Sequence, residues 1–189
     1  MERIEAIEAL AEHKGQGLSV ATMRAIPDWY AQGEGIAPHM HLDNRGCMGG
    51  AAPMALGLAL AQPDKQVMCI DGDGSLLMQL GVLASIAGCA PENFFHIVLV
   101  NGVYETSGQQ PIPGADSVDF AAMALGAGYK AGYNFDDLGV LRERLPGVFN
   151  QKGPVMIAIK VSPGDISVGV PPGRPGDHIW ELRKTLVGA

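Results

Sequence analysis

The sequence is short of charge, of basic residues and of cysteine. Charged side chains make up 17% of the 189 residues, and 13 Lys+Arg against 20 Asp+Glu leave a formal net charge of −7. Without a basic face, a sequence-independent nucleic-acid binder is argued against, because such proteins neutralise phosphates with clustered Lys and Arg. The three cysteines, Cys47, Cys69 and Cys89, are odd in number and widely spaced, and no Cys-x-x-Cys occurs. That supports neither a zinc ribbon nor a disulfide framework, and three scattered thiols cannot ligate a four-cysteine cluster. Long apolar runs are also missing. Each is broken by Gly, Pro, Gln or charge well short of about 18 residues, so no membrane span is expected. Met1-Glu2-Arg3-Ile4-Glu5 does not open a signal peptide, and a cytoplasmic protein is expected. There is no internal repeat and no Gly-Lys-Ser/Thr of a P-loop.

What is present is apolar and glycine-rich. Hydrophobic residues make up 47% of the chain, enough for one substantial core and too little chain for two ordinary domains. Gly occurs 26 times, about twice its usual share, and Pro 13 times without a collagen-like period. Helical spacing over 2–14 is followed by a short strand at 18–23. Residues 27–47 show no sustained period and read as a long loop, which needs a function to be worth keeping. A small-residue helix is expected over 48–62, a buried strand over 66–71, and one nearly all-apolar helix over 75–87. A strand over 94–100 leads into a second irregular stretch, 101–116. Helix 118–127, weak strand 130–132, helix 136–145 and strand 155–161 complete the pattern.

Strands apolar on both faces, alternating with helices, indicate an α/β fold: a single three-layer domain with a mostly parallel sheet and helices on both faces. That domain is expected over 1–162. Residues 163–189 read as a Pro/Gly-rich arm, 163–177, and a C-terminal helix, 178–187, packed on the same domain.

The chemistry concentrates where the buried strand over 66–71 runs into a helix, at Asp71-Gly72-Asp73-Gly74-Ser75. Gly72 and Gly74 permit a tight turn and close approach of a ligand, and Ser75 is placed to cap the next helix. Such a turn at the carboxyl end of a parallel strand suits an anion. Asp73 in its midst would repel phosphates unless a divalent cation, usually Mg²⁺, lay between them. Leu77 stands where a dinucleotide fingerprint wants its third glycine. Asn101 ends the next buried strand, with 27 residues between it and Asp73. Adjacent parallel strands joined by one helix bring those two oxygen donors side by side.

Gly72-Asp73-Gly74-Ser75 followed by Asn101-Gly102-Val103-Tyr104 closely resembles the thiamine diphosphate signature. The resemblance implies Asp73, Asn101 and the backbone carbonyl of Val103 as Mg²⁺ ligands. Upstream, Gly46-Cys47-Met48-Gly49 resembles the turn that holds the aminopyrimidine in thiamine diphosphate decarboxylases. By that resemblance Gly46 offers a carbonyl and Met48 wedges under the cofactor, though Met48 equally reads as a core gap filler. Residues 46–111 are most similar to the β subunit of two-subunit sulfopyruvate decarboxylase and the matching part of phosphonopyruvate decarboxylase.

The resemblance further implies a partner subunit with a pyrimidine-binding domain that supplies the activating glutamate, in a hetero-oligomer of dimers. It implies non-oxidative decarboxylation of a 2-oxo acid to an aldehyde, with thiamine diphosphate as electron sink. Glu105, Thr106, Ser107 and Gln109 follow the metal loop and are candidates to face substrate; Glu105 reads equally as a solvated carboxylate. His41 is a candidate acid–base group near the cofactor turn. Arg24 and Arg45 suit an anionic substrate tail. Two other readings remain: a non-catalytic cofactor-binding or regulatory module, and a metallo-hydrolase using His39 and His41.

Overall fold

A computed structural model describes residues 1–33, 38–164 and 175–188. The chain opens with α1 (Arg3–Ala11), β1 (Leu18–Thr22) and α2 (Ala25–Tyr30). After a 3₁₀ turn at Pro38–Met40 come β2 (His41–Asn44), α3 (Ala51–Ala61) and β3 (Val67–Gly72). The middle of the chain holds α4 (Asp73–Met78), α5 (Val82–Cys89), β4 (Phe94–Val100), and a hairpin of β5 (Val103–Tyr104) with β6 (Gln110–Pro111). It continues through α6 (Phe120–Ala127), β7 (Ala131–Phe135), α7 (Leu138–Phe149), β8 (Val155–Lys160) and α8 (Pro175–Val187).

Local sequence explains several boundaries. Asp119 and Asp137 cap α6 and α7 by accepting the N–H groups of Ala122 and Val140, both at 2.9 Å. Gly128 ends α6 in the left-handed region, φ 112°, where its N–H reaches back to the carbonyls of Ala124 and Leu125. The central strands β3, β4 and β8 are almost wholly buried, as their unbroken apolar runs require.

Six strands form one parallel sheet in the order β2-β1-β3-β4-β8-β7. One face packs against α3, α5 and α6, with Leu182 of α8 joining them. The other packs against α1, α2 and α7. The three-layer α/β fold is thus as the sequence implies. The chain leaves β1 toward one edge and re-enters at β3 on the other side, so order reverses between those two strands. Open α/β sheets bind ligands at the carboxyl ends beside such a reversal. The opposite end is stitched shut: the Asn93 side-chain amide donates to the carbonyls of Ala59, Gln62 and Lys65 at 3.2, 3.0 and 2.7 Å.

Four expectations need correction or lie out of reach. Residues 27–47 are not one loop, since α2 reaches Tyr30 and β2 forms the sheet edge; both are too short to show a period. The single helix over 75–87 is two, α4 and α5, because Gln79 leaves the helical region (φ −137°, ψ 41°) and Gly81 starts a new helix. The stretch 101–116 contains the β5–β6 hairpin, closed by a 3₁₀ turn at Glu105–Ser107. Most of the arm at 163–177 lies outside the described residues. Among the described residues, no helix is long and apolar enough to cross a membrane.

Ile70, fully buried in β3, locks the sheet to the α1/α2 layer. Ile70→Ala is expected to cost about 2–5 kcal/mol in urea denaturation, since the cavity sits where neighbours on two strands cannot collapse.

Candidate functional site

A crevice opens at the carboxyl ends of β1, β3 and β4. Its floor is the turn Gly72–Ser75. Asp73, 2% exposed, starts α4 and is held from two sides. Its Oδ1 accepts the Gly74 N–H and its Oδ2 accepts the Gly102 N–H, both at 2.7 Å. Burial raises its pKa, while the N–H groups of Gly102, Gly74 and Asn101 favour the carboxylate. One side chain therefore ties the end of β3 to the loop after β4. Asn101 lines the same crevice, its Oδ1 accepting the Val103 N–H at 2.9 Å. Carboxylate, amide and peptide oxygens are hard donors, a set that suits Mg²⁺ rather than a soft metal.

The glycines here have distinct jobs. A Cβ on Gly72 would meet nothing within 4 Å, leaving the crevice side of the turn open. A Cβ on Gly74 would lie 2.4 Å from Cε1 of Tyr104, so the Tyr104 ring packs directly on that glycine. Ser75 is the third residue of α4 and does not cap it; Gly72 occupies the cap position. Its Oγ instead accepts the Gly49 N–H at 2.9 Å, joining this turn to the 46–49 turn. There Gly46 has φ 68°, and the Cys47 carbonyl accepts from Asn44 Nδ2 at 2.6 Å. Met48 lines the crevice, while Cys47 is exposed with a free thiol.

The structure does not bring His41 to the crevice. It is fully buried in β2, where Nε2–H donates to Asp43 at 3.0 Å and Nδ1 accepts from Ser19 Oγ at 2.8 Å. Trp29 Nε1–H donates in turn to Ser19 Oγ at 3.1 Å. This order suits a neutral imidazole, and burial lowers the His41 pKa against the opposing pull of Asp43. Burial pushes the Asp43 pKa up, but His41 and Arg45 outweigh it and hold the carboxyl at about 2. Arg45 grips Asp43 Oδ2 at 2.7 and 2.9 Å rather than facing the crevice. His39 is exposed, and among the described residues it does not join His41 in any cluster of metal-capable groups. The metallo-hydrolase reading loses its site.

Glu105 does line the crevice, but as a clamped carboxylate, 5% exposed. Arg3 Nη1 reaches both of its oxygens at 2.9 and 2.8 Å, and Arg24 Nε lies 3.5 Å away. Asp28 holds the other side of Arg3 at 2.6 Å. Thr106 also lines the crevice. Arg3 and Asp71, both lining residues, are not among the site residues that the sequence points to. Arg3 stands 102 residues from its partner, and no local pattern flags it; Asp71 is visible beside Asp73 but reads as the end of a strand.

Residues 26–159 match the family model described as thiamine pyrophosphate enzyme, C-terminal TPP binding domain. The chain is 41% identical over 141 residues to phosphonopyruvate decarboxylase of Streptomyces hygroscopicus, covering 74% of this chain and 34% of that protein. It therefore spans about a third of that relative's length. It is 34% identical over 170 residues to sulfopyruvate decarboxylase subunit beta of Methanothermobacter thermautotrophicus, covering 90% of this chain and 87% of the relative. In fold it is similar to benzoylformate decarboxylase from Polynucleobacter necessarius, with TM-score 0.72 and 18% identity over 87% of this chain and 34% of that one.

Two tests follow from the geometry. His41 has a lowered folded-state pKa, so the unfolded chain takes up its proton first. Stability is complete above the unfolded value of about 6.5 and falls below it by up to about 1.4 kcal/mol per pH unit. Urea denaturation between about pH 8 and pH 5 should show this slope, and His41→Gln should flatten it. Gly74→Ala must displace the Tyr104 ring and is expected to lower stability by about 1–3 kcal/mol. Gly57→Ala, whose Cβ meets open space within α3, should raise it slightly; melting temperatures compare the two.

Proposed function

The chain belongs to the thiamine pyrophosphate enzymes through their C-terminal TPP-binding domain, and from that membership we propose that it is the Mg²⁺–thiamine diphosphate-binding subunit of a heteromeric 2-oxo acid decarboxylase. The observation that carries this reading is Asp73, buried and fixed by N–H groups from two neighbouring strand ends, with Asn101 and Val103 lining the same crevice. Asp73, the Asn101 side-chain oxygen and the Val103 carbonyl hold Mg²⁺, which neutralises the carboxylate against a diphosphate. Gly72, Gly74 and Ser75 let the backbone approach that diphosphate, and Tyr104 closes the wall beside it. The Gly46 carbonyl and Met48 engage the rest of the cofactor, with the Cys47 peptide oriented by Asn44. When bound, thiamine diphosphate supplies the electron sink for loss of CO₂ from a 2-oxo acid.

Glu105 acts here by position. Held by Arg3, it shapes the crevice wall between β4 and α1. The proton-transfer group is the glutamate of a pyrimidine-domain partner. Two observations support a partner. The chain covers 87% of a relative named as a subunit. In addition α3 carries no charged residue, and its exposed side includes Met54 and Leu60, with Met78 exposed on α4. The substrate is a 2-oxo acid of the sulfopyruvate or phosphonopyruvate kind, as the relatives' names suggest.

Calorimetric titration of thiamine diphosphate with Mg²⁺ tests the site. Asp73→Ala is expected to weaken Mg²⁺-dependent binding at least about 100-fold, more than loss of an outer-shell contact would. Equal affinity for wild type and variant would overturn the metal assignment. Decarboxylation is expected only when the pyrimidine-domain subunit is present; turnover by this chain alone would overturn the heteromeric reading.

A further inference from the structure

Beneath the Gly72–Ser75 turn lies a buried polar cluster with no part in the reading above. Cys69 and Asp71 on β3 and His96 on β4 are each no more than 1% exposed, and Cys69 lies opposite His96 in the strand register. The thiol sulfur, a carboxylate oxygen and an imidazole nitrogen lie within 4.8 Å of one another. Asp71 Oδ1 accepts the Gly72 N–H at 2.9 Å, but among the described residues its Oδ2 has no hydrogen-bond partner. His96 Nδ1 meets the Tyr129 hydroxyl at 3.0 Å, and its Nε2 likewise has no hydrogen-bond partner among the described residues. These two atoms face each other across 3.6 Å, and the Cys69 sulfur belongs to the same cluster. Buried polar atoms in folded proteins are nearly always satisfied, so two orphans converging on one point call for a common partner.

We propose that Cys69, Asp71 and His96 form a second metal site, for a divalent transition ion of the Zn²⁺ type, distinct from the oxygen-lined Mg²⁺ site. The donor set is one sulfur, one nitrogen and one oxygen, which favours Zn²⁺ over Mg²⁺. A separation of 3.6 Å between Asp71 and His96 is too long for a strong hydrogen bond, yet close to the edge of a tetrahedron with bonds of about 2.0–2.3 Å. Charge also balances: one thiolate and one carboxylate against a dication sum to zero, the state a dry interior tolerates best. An Asp71–His96 ion pair would use two donors and leave the third idle.

Both outer contacts have the form that metal sites use. Tyr129 contacts the far nitrogen of the imidazole, and the Gly72 N–H fixes the far oxygen of the carboxylate. Asp71 also lines the crevice, so the cluster lies directly behind its wall. Bound there, the ion would clamp β3 to β4 directly under the turn that carries Asp73. The inference does not depend on thiamine diphosphate binding.

Cobalt(II) titration of the metal-stripped full chain, in excess Mg²⁺ to fill oxygen sites, tests it. One equivalent of Co²⁺ should bind with a thiolate-to-metal charge-transfer band in the near ultraviolet, and Zn²⁺ should displace it. Cys69→Ser should abolish the band, and His96→Gln should weaken Co²⁺ binding at least about tenfold. Cys69→Ala repeats the test if the serine variant does not fold by circular dichroism. A wild-type chain with no thiolate band, a band that persists without Cys69, or Co²⁺ that Mg²⁺ displaces would each overturn the site.

Discussion

The crevice depends on one carboxylate. Asp73 accepts an N–H from its own turn and another from Gly102, so the carboxyl ends of β3 and β4 are fastened together by a carboxylate that, among the described residues, forms no salt bridge. Such a group is costly in a core and useful beside a cation. Burial favours its protonated form, the surrounding peptide N–H groups favour the ion, and a dication would settle the balance. The turn, the loop after β4 and the Tyr104 ring on Gly74 all take their places around that side chain. Ser75 extends the same frame to Gly49, making the two glycine turns one unit.

A second electrostatic frame closes the opposite wall. Arg3 lies between Asp28 and Glu105, joining α1, α2 and the loop after β4 in one buried network. A buried guanidinium with two carboxylates holds only while all its partners stay. Glu105, in the loop that follows Asn101, is accordingly held by Arg3 although its place in the sequence suggests a free carboxylate.

The fold was legible because its strands are buried on both faces: 94–100 and 155–161 read as strands from unbroken apolar runs and prove to be β4 and β8. The turn chemistry was legible too, since Gly-Asp-Gly and the later Asn sit at the ends of adjacent strands. What failed did so for physical reasons. Edge strand β2 is four residues long and carries His41, Asp43 and Asn44, so it shows no strand-like pattern. His41 looked reactive because sequence cannot show that Ser19 and Asp43 already occupy both its nitrogens. The Arg3–Glu105 pair joins residues 102 apart in the sequence, invisible to any local window. The break between α4 and α5 falls at Gln79–Gly81, where one polar residue and one glycine interrupt the apolar run too briefly to mark a helix end.

Asn93 gives the molecule a division of labour between its two ends. At the amino ends of the strands, one side-chain amide is shared among three carbonyls, a purely structural knot far from any ligand. At the carboxyl ends, polar groups are reserved for the crevice. Loops there can vary while the knot at the other end keeps the sheet in register. Descent with changed specificity is open to this scaffold because its rigidity and its reactivity occupy different addresses.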